Sequence, residues 1–258
     1  MGYKGILCEG KDSIMGTRTP NFLYQPAGTL KIKALLKNYR LSDDIAFRFS
    51  DRNWSEWPLQ ADTFAEWVHK VAGNGEVVNL FMDYETFGEH QWEETGILDF
   101  LDHLPAEILK HPDFDFKTVS EAVDTYRVRD IYDVPEFISW ADAERDLSAW
   151  LSNAMEQEAA KRIYSLEDKV VKSGNKDLLD VWGKLQTSDH FYYMCTKFWS
   201  DGDVHKYFSP YDSPYDAYIY FMNVLADFET TIEDAITGKS VPEPAPSRKA
   251  VLRKKENA

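Results

Sequence analysis

The sequence predicts an α/β fold, and three observations carry that prediction. Between residues 44 and 110, short apolar runs alternate with segments whose apolar residues recur at helical intervals, the pattern of strands joined through helices in a parallel sheet. Val77 to Met82 is nearly continuously apolar, as a strand buried on both faces would be. Beyond about Pro135 the helical interval dominates, so helices follow the sheet.

In order along the chain, Tyr3 to Cys8 reads as a short strand ending at Glu9-Gly10. Residues 15–28 hold Gly, Pro and Thr and read as loop. "TLKIKALLKN" begins with alternation and suggests a strand; "DDIAFRFS" alternates more clearly, from Ile45 to Phe49. "ADTFAEWVHKVAG" places Phe64, Trp67 and Val71 on one helical face, with Gly73 as a stop. The strand 77–82 follows. "TGILDFLDHLPAEIL" then sets Ile97, Phe100 and Leu101 on a helical face. "EFIS", residues 136–139, reads as a further strand. Leu147, Trp150, Leu151, Met155 and Ala159 share one helical stripe; Leu178, Val181, Trp182 and Leu185 share another. "YDAYIYFMNVLADFETTIEDAI" is a third helix, stopped by Gly238. The expected organisation is a β/α region at 1–135, a helical region at 136–238 and a Pro-rich, basic, disordered tail at 239–258.

Composition narrows the function. The 258 residues carry a net charge of -15, and mean hydropathy is -0.48. An acidic surface repels phosphate backbones, which argues against nucleic acid as a partner. No apolar run reaches the roughly 20 residues that cross a bilayer, so no membrane partner is expected. Cys8 and Cys195 are the two cysteines, too few for a disulfide framework or a cysteine metal cluster. "MGYKGILCEGKDS" lacks a signal peptide's apolar core and cleavage site, so cytoplasm is the expected compartment. No HxxxH spacing surrounds His90 or His190, and no GxSxG occurs; neither a metal nor another cofactor is expected. Aromatics reach 14%. They suit either a large core or a cleft in which rings stack on sugars.

The chemistry concentrates in "VVNLFMDYETFGEHQW", residues 77–92. Active sites of parallel sheets gather at the C-terminal ends of strands, so Asp83 falls at the rim, with Glu85 and His90 in the loop behind it. Glycosidic cleavage needs one carboxylic acid to protonate the leaving oxygen and a second carboxylate as nucleophile or base. A carboxyl shielded from water keeps its proton more readily. A solvated loop with no chemistry is the alternative.

"MDYETFGEH", followed by Gln91-Trp92, resembles a catalytic motif of glycoside hydrolase family 57, in its α-amylase-like branch. "MGYKGILCEGKDSIMG", "NYRLSDDIAFRFS", "VSEAVDTY", "SWADAERDLSAWL" and "TSDHFYYM" resemble further segments of these enzymes, in the same order. The resemblance implies a retaining mechanism on α-glucans (α-1,4 bonds of starch or maltooligosaccharides), without a required metal. It implies a partial distorted (β/α)7 barrel followed by a C-terminal helical bundle that completes the cleft. It maps the general acid/base onto Asp83 and a cleft aspartate onto Asp189. The family's nucleophilic Glu, on an earlier strand, and its His-Gln-Pro motif have no match in this sequence, and Glu9 lies after the nucleophile's segment. The resemblance therefore implies a chain that begins within the barrel and acts weakly or not at all on starch. An upstream polypeptide would complete it. The alternatives are a non-catalytic carbohydrate-binding remnant and the C-terminal subunit of a split glucan hydrolase or transferase.

The remaining candidates are substrate contacts. His90 could bond a sugar hydroxyl or cap backbone. Trp92 could stack on a sugar or pack under the loop. Glu85 could support Asp83 or bind a hydroxyl. Trp140 faces either a cleft or the core. Asp189 and His190 follow Thr187-Ser188, where capping of the next helix competes with substrate binding.

Overall fold

A computed structural model describes residues 2–29, 31–141, 144–197 and 209–238; the tail expected at 239–258 lies outside the described residues. The chain divides into two compact units, Met1–Trp140 and Ala141–Ala258. No helix among the described residues is long and apolar enough to cross a membrane.

The first unit is mixed α/β, built on a four-stranded sheet of order β1-β3-β2-β4. The strands are β1 (Gly5–Cys8), β2 (Leu23–Pro26), β3 (Lys33–Leu36) and β4 (Val128–Tyr132). β1 runs parallel to β3, with Gly5 opposite Lys33 and Cys8 opposite Leu36. β2 is antiparallel to β3 and parallel to β4. The sheet is thus mixed, where alternation had suggested parallel strands throughout. β1 and β3 arise where the sequence places them. β2 falls in the stretch expected to be loop: Leu23 and Tyr24 are fully buried, and two such residues are too short a signal against the surrounding Gly and Pro.

Ile45–Phe49 is not a strand. α1 (Asp12–Met15) precedes β2, and α2 (Tyr39–Asp43) continues into a wider helical turn over Asp44–Arg48. Asn38 starts this helix by accepting the Leu41 amide at 3.3 Å. Ile45, Ala46 and Phe49 are buried while Phe47 is 70% exposed. That is helical burial, which overrides the alternation of Ile45, Phe47 and Phe49. An Arg48–Asp44 pair at 2.6 Å supports the same turn.

α3 (Ala61–His69) and α4 (Ile97–Ile108) pack on each other. Phe100 meets Phe49 and Phe64 edge-on, with ring centroids 5.1 and 5.7 Å away, a favourable quadrupole arrangement. α4 buries Ile97, Phe100, Leu104 and Ile108, each worth about 1.5–3 kcal/mol; Leu101, expected on that face, is exposed.

Val77–Met82 is extended but joins no sheet, and its apolar residues are half-buried. Its polar groups are claimed piecemeal instead. The Asn21 carbonyl accepts the Glu76 and Val77 amides. The Asn79 carbonyl accepts the Asn38 amide at 2.9 Å, and Asn79 Nδ2 donates to the Leu36 carbonyl at 2.9 Å. The Phe81 amide donates to Ser42 Oγ at 3.2 Å. Asn79, buried in mid-run, thus fastens the segment beyond the end of β3. The run 136–139 forms no strand either; β4 ends just upstream, at Tyr132.

The second unit is helical among its described residues: α6 (Ser148–Leu151), α7 (Ala154–Tyr164), α8 (Glu167–Ser173), α9 (Lys176–Leu185), α10 (Ser188–Tyr192) and α11 (Pro214–Thr237); α5 (Val119–Thr125) belongs to the first unit. The stripe expected as one helix over 147–159 is two. Asn153 breaks it by capping α7: its side chain accepts the Glu156 amide at 3.0 Å, and Glu156 reaches back to the Asn153 amide at 2.9 Å. α11 buries Ala217, Phe221, Leu225, Phe228 and Ile232, a stripe of helical period. It closes on Ala159, Ile163, Leu166 and Val170 from α7 to α8.

Candidate active site

Asp83 marks the point where the extended segment stops and a compact loop starts. Its backbone is extended, and its carbonyl accepts the Thr86 amide at 3.1 Å, opening a tight turn over Tyr84–Thr86. The His90 amide donates to the Glu85 carbonyl at 2.8 Å. The Gln91 amide donates to the Thr86 carbonyl, and the Gly88 amide returns to the Gln91 carbonyl, both at 2.9 Å. Gly88 has φ +110°, a conformation that side chains with Cβ rarely adopt.

Two buried polar residues anchor the loop. Thr86 lies under the turn. Gln91 sends Nε2 to the Ala46 carbonyl at 2.9 Å, tying the loop to the helix after Asp44; its Oε1 has no partner among the described residues. These anchors are what residue-by-residue reading missed. A Thr or Gln amid charged residues looks solvated, and burial is not visible in its local sequence.

With the backbone satisfied internally, the loop turns its chemistry outward. Asp83, Glu85, Glu89 and His90 are exposed, and Tyr84 is 96% exposed. The loop itself does not shield Asp83 from water. Trp92 is 58% exposed while its Nε1 donates to the Glu89 carbonyl at 2.6 Å. Its indole is therefore fixed in orientation with a face left open, and packing under the loop is excluded. The loop ends at Gly96, where α4 begins.

The other candidates are placed as follows. Trp140 is 64% exposed, so it does not pack in the core. In the second unit, Asp189 is an exposed residue of α10. The cap position is Thr187, with no side-chain cap bond, so Asp189 is not the cap. His190 is half-buried and its ring lies 5.3 Å from that of Phe221; packing accounts for that ring. Among the described residues no three His, Cys, Asp or Glu converge into a metal cradle.

The arrangement is an internally hydrogen-bonded loop displaying three acids, a histidine and exposed aromatic side chains. Carboxyls can transfer protons to an exposed glycosidic oxygen, and open rings can stack on sugar C–H faces. Residues 1–135 match the model of Glycosyl hydrolase family 57. A protein of Methanocaldococcus jannaschii named "Putative alpha-amylase" is 46% identical over 246 residues, which cover 92% of this chain and 52% of that relative. The chain thus spans about half the length of the curated relative it matches. No solved structure matches. The match over 1–135 contains the entire Asp83 loop, and the chain belongs to glycosyl hydrolase family 57.

Proposed function

We propose that the chain is part of a retaining glycoside hydrolase acting on α-1,4-glucans, with Asp83 as its general acid/base. The observation that carries this reading is the Asp83 loop, internally hydrogen-bonded and open to solvent, inside the family match. In the first step Asp83 protonates the departing glycosidic oxygen while a second carboxylate attacks the anomeric carbon; in the next step Asp83 takes a proton from the incoming water. A retaining pair stands about 5–5.5 Å apart. We assign the second carboxylate to a segment outside these 258 residues, which would also complete a distorted (β/α)7 barrel around the four-stranded sheet. Supporting this, the chain spans 52% of its relative, and edge strand β1 leaves Ile6 and Leu7 exposed. Glu85, His90, Trp92 and Trp140, in the same unit as Asp83, are read as substrate contacts.

A second reading, glucan binding without turnover, is favoured by the exposed aromatic side chains of Tyr84, Trp92 and Trp140. One experiment separates the two. The isolated chain, and a fusion adding the half of the relative that lies outside the match, are incubated with maltoheptaose. Hydrolysis by the fusion, with slow or no hydrolysis by the isolated chain, is the expected result. Binding by both with turnover by neither leaves the second reading standing.

A further inference from the structure

We propose that the open backbone edge of Val77–Met82 receives a β-strand from the half of a family protein that these 258 residues do not span. The inference rests on the reading above, which assigns a second carboxylate to a segment outside the chain, and names the edge on which that segment docks.

Val77–Met82 joins no sheet, yet it has a strand's period of two, in its side chains and in its backbone. Val77 and Phe81 pack against the cluster that holds Leu35 of β3 and Val123 of α5. Val78, Leu80 and Met82 pack against the cluster built on α3 and α4. The backbone bonds alternate in step. They fall on Val77, Asn79 and Phe81, whose partners are Asn21, Asn38 and Ser42. In a strand, successive residues turn their N–H and C=O to opposite edges. The amides and carbonyls of Val78, Leu80 and Met82 therefore face the other edge, and they have no partner among the described residues. Packing on both faces is the mark of a central strand; this one is bonded along one edge only.

A cavity of about 540 Å³ follows the open edge. Val77 to Phe81 line it, with Val68, Val71 and Phe114 on one wall and Leu7, Val119 and Ala122 on the other. These walls belong to opposite faces of the segment, and Asn21, Asn38 and Ser42 take its other edge, so the cavity wraps the open one. Apolar walls beside a row of backbone donors and acceptors suit an extended chain with apolar side chains. A second copy of this chain does not fit. Its own edge lies between the same walls, so the two backbones cannot approach to the ~4.8 Å of strand pairing. The strand is assigned instead to the outlying half of the family protein, because the chain covers 52% of its relative. Seated there, it would run one strand spacing from the segment that ends at Asp83, and would give that exposed carboxylate the cover which its loop does not.

The test is hydrogen exchange, read amide by amide, in the 258-residue chain and in the fusion described above. In the isolated chain Val78, Leu80 and Met82 should exchange faster than Val77 and Phe81, whose amides are bonded. In the fusion the three should slow by about 100-fold or more. Leu80→Pro removes an N–H that has no partner among the described residues. It should leave the isolated chain's far-UV circular dichroism unchanged, and cut the protection of Val78 and Met82 in the fusion about tenfold or more. The wild-type comparison decides the matter if Leu80→Pro does not fold. Fast exchange of the three in a fusion that hydrolyses maltoheptaose overturns the docking and leaves the glucan reading intact. Slow exchange in a fusion without hydrolysis supports the docking and counts against the glucan reading. Three amides already slow in the isolated chain, whether it sediments as a monomer or as a dimer, overturn the proposal.

Discussion

Gln91 is the residue through which the fold is expected to hold Asp83 in place, and Gln91→Ala tests this. The substitution removes the bond from Nε2 to the Ala46 carbonyl, 2.9 Å long and buried. Leaving a buried acceptor without its donor costs about 1–3 kcal/mol. The loss falls on local opening of the loop more than on global unfolding, because Gln91 joins the loop to one helix and belongs to none of the first unit's apolar clusters. Native-state hydrogen exchange reads it directly. The amides of Gly88, His90 and Gln91 itself are bonded within the loop, and their exchange should quicken about 5- to 150-fold, the equivalent of 1–3 kcal/mol. Gln91→Met sharpens the test. Like Gln91→Ala it removes both Nε2 and Oε1, the latter without a partner among the described residues, but it fills the buried space that alanine leaves empty. It should therefore cost less, about 1 kcal/mol. Exchange in Gln91→Ala within twofold of wild type would refute the anchoring argument; so would a Met variant looser than the Ala variant.

Other outcomes follow from the same reasoning. Leu225→Ala, at a fully buried position of α11, should cost about 2–5 kcal/mol in urea unfolding; a loss under 1 kcal/mol would mean that this core is loosely packed. Two glutamates should give opposite pH dependences in unfolding titrations, Glu229 below the usual glutamate range and Glu156 above it. The Arg162 guanidinium, bonded at 2.7 and 2.6 Å, holds Glu229 below the usual glutamate range; the stability it adds is present above that range and lost as pH falls through the lowered value, and its partial exposure limits it to about 0.5–1 kcal/mol. Burial pushes Glu156 up, so its contribution is present at acid pH and lost as pH rises through the raised value. Glu229→Gln and Glu156→Gln should each abolish its own slope, and slopes of the same sign would contradict the assignment. Burial likewise pushes the Cys195 thiol up to about 11; iodoacetamide at pH 8 should label Cys8, which is half-buried, before Cys195, and the reverse order in mass spectrometry would count against this packing.

The elements legible in the sequence were those with a strong period of their own. α3, α4, α9 and α11 each bury a helical stripe, and the stripe shows in the residue order. β1 and β3 were legible too. The misreadings share one cause, local pattern yielding to longer-range partners. Ile45–Phe49 alternates like a strand, yet burial of Ala46 and Phe49 and the Asn38 cap make it helical. Val77–Met82 looks like a central strand, yet Asn21, Asn38 and Ser42 take its backbone bonds. The break at Asn153 was written in the sequence as Asn-x-x-Glu, a capping box inside an apolar stripe. Asp83 was singled out from its neighbours and its motif.

The most direct measurement is cleavage by Asp83→Asn in the fusion described above, on two substrates. With maltoheptaose the departing oxygen needs a proton, and kcat/KM should fall about 10²- to 10⁴-fold, the range that general acid catalysis supplies. With an aryl maltoside, whose leaving group departs as a stable phenolate, formation of the glycosyl-enzyme should be much less affected. A variant within a few-fold of the parent on maltoheptaose, or one impaired equally on both substrates, would contradict Asp83 as the proton donor.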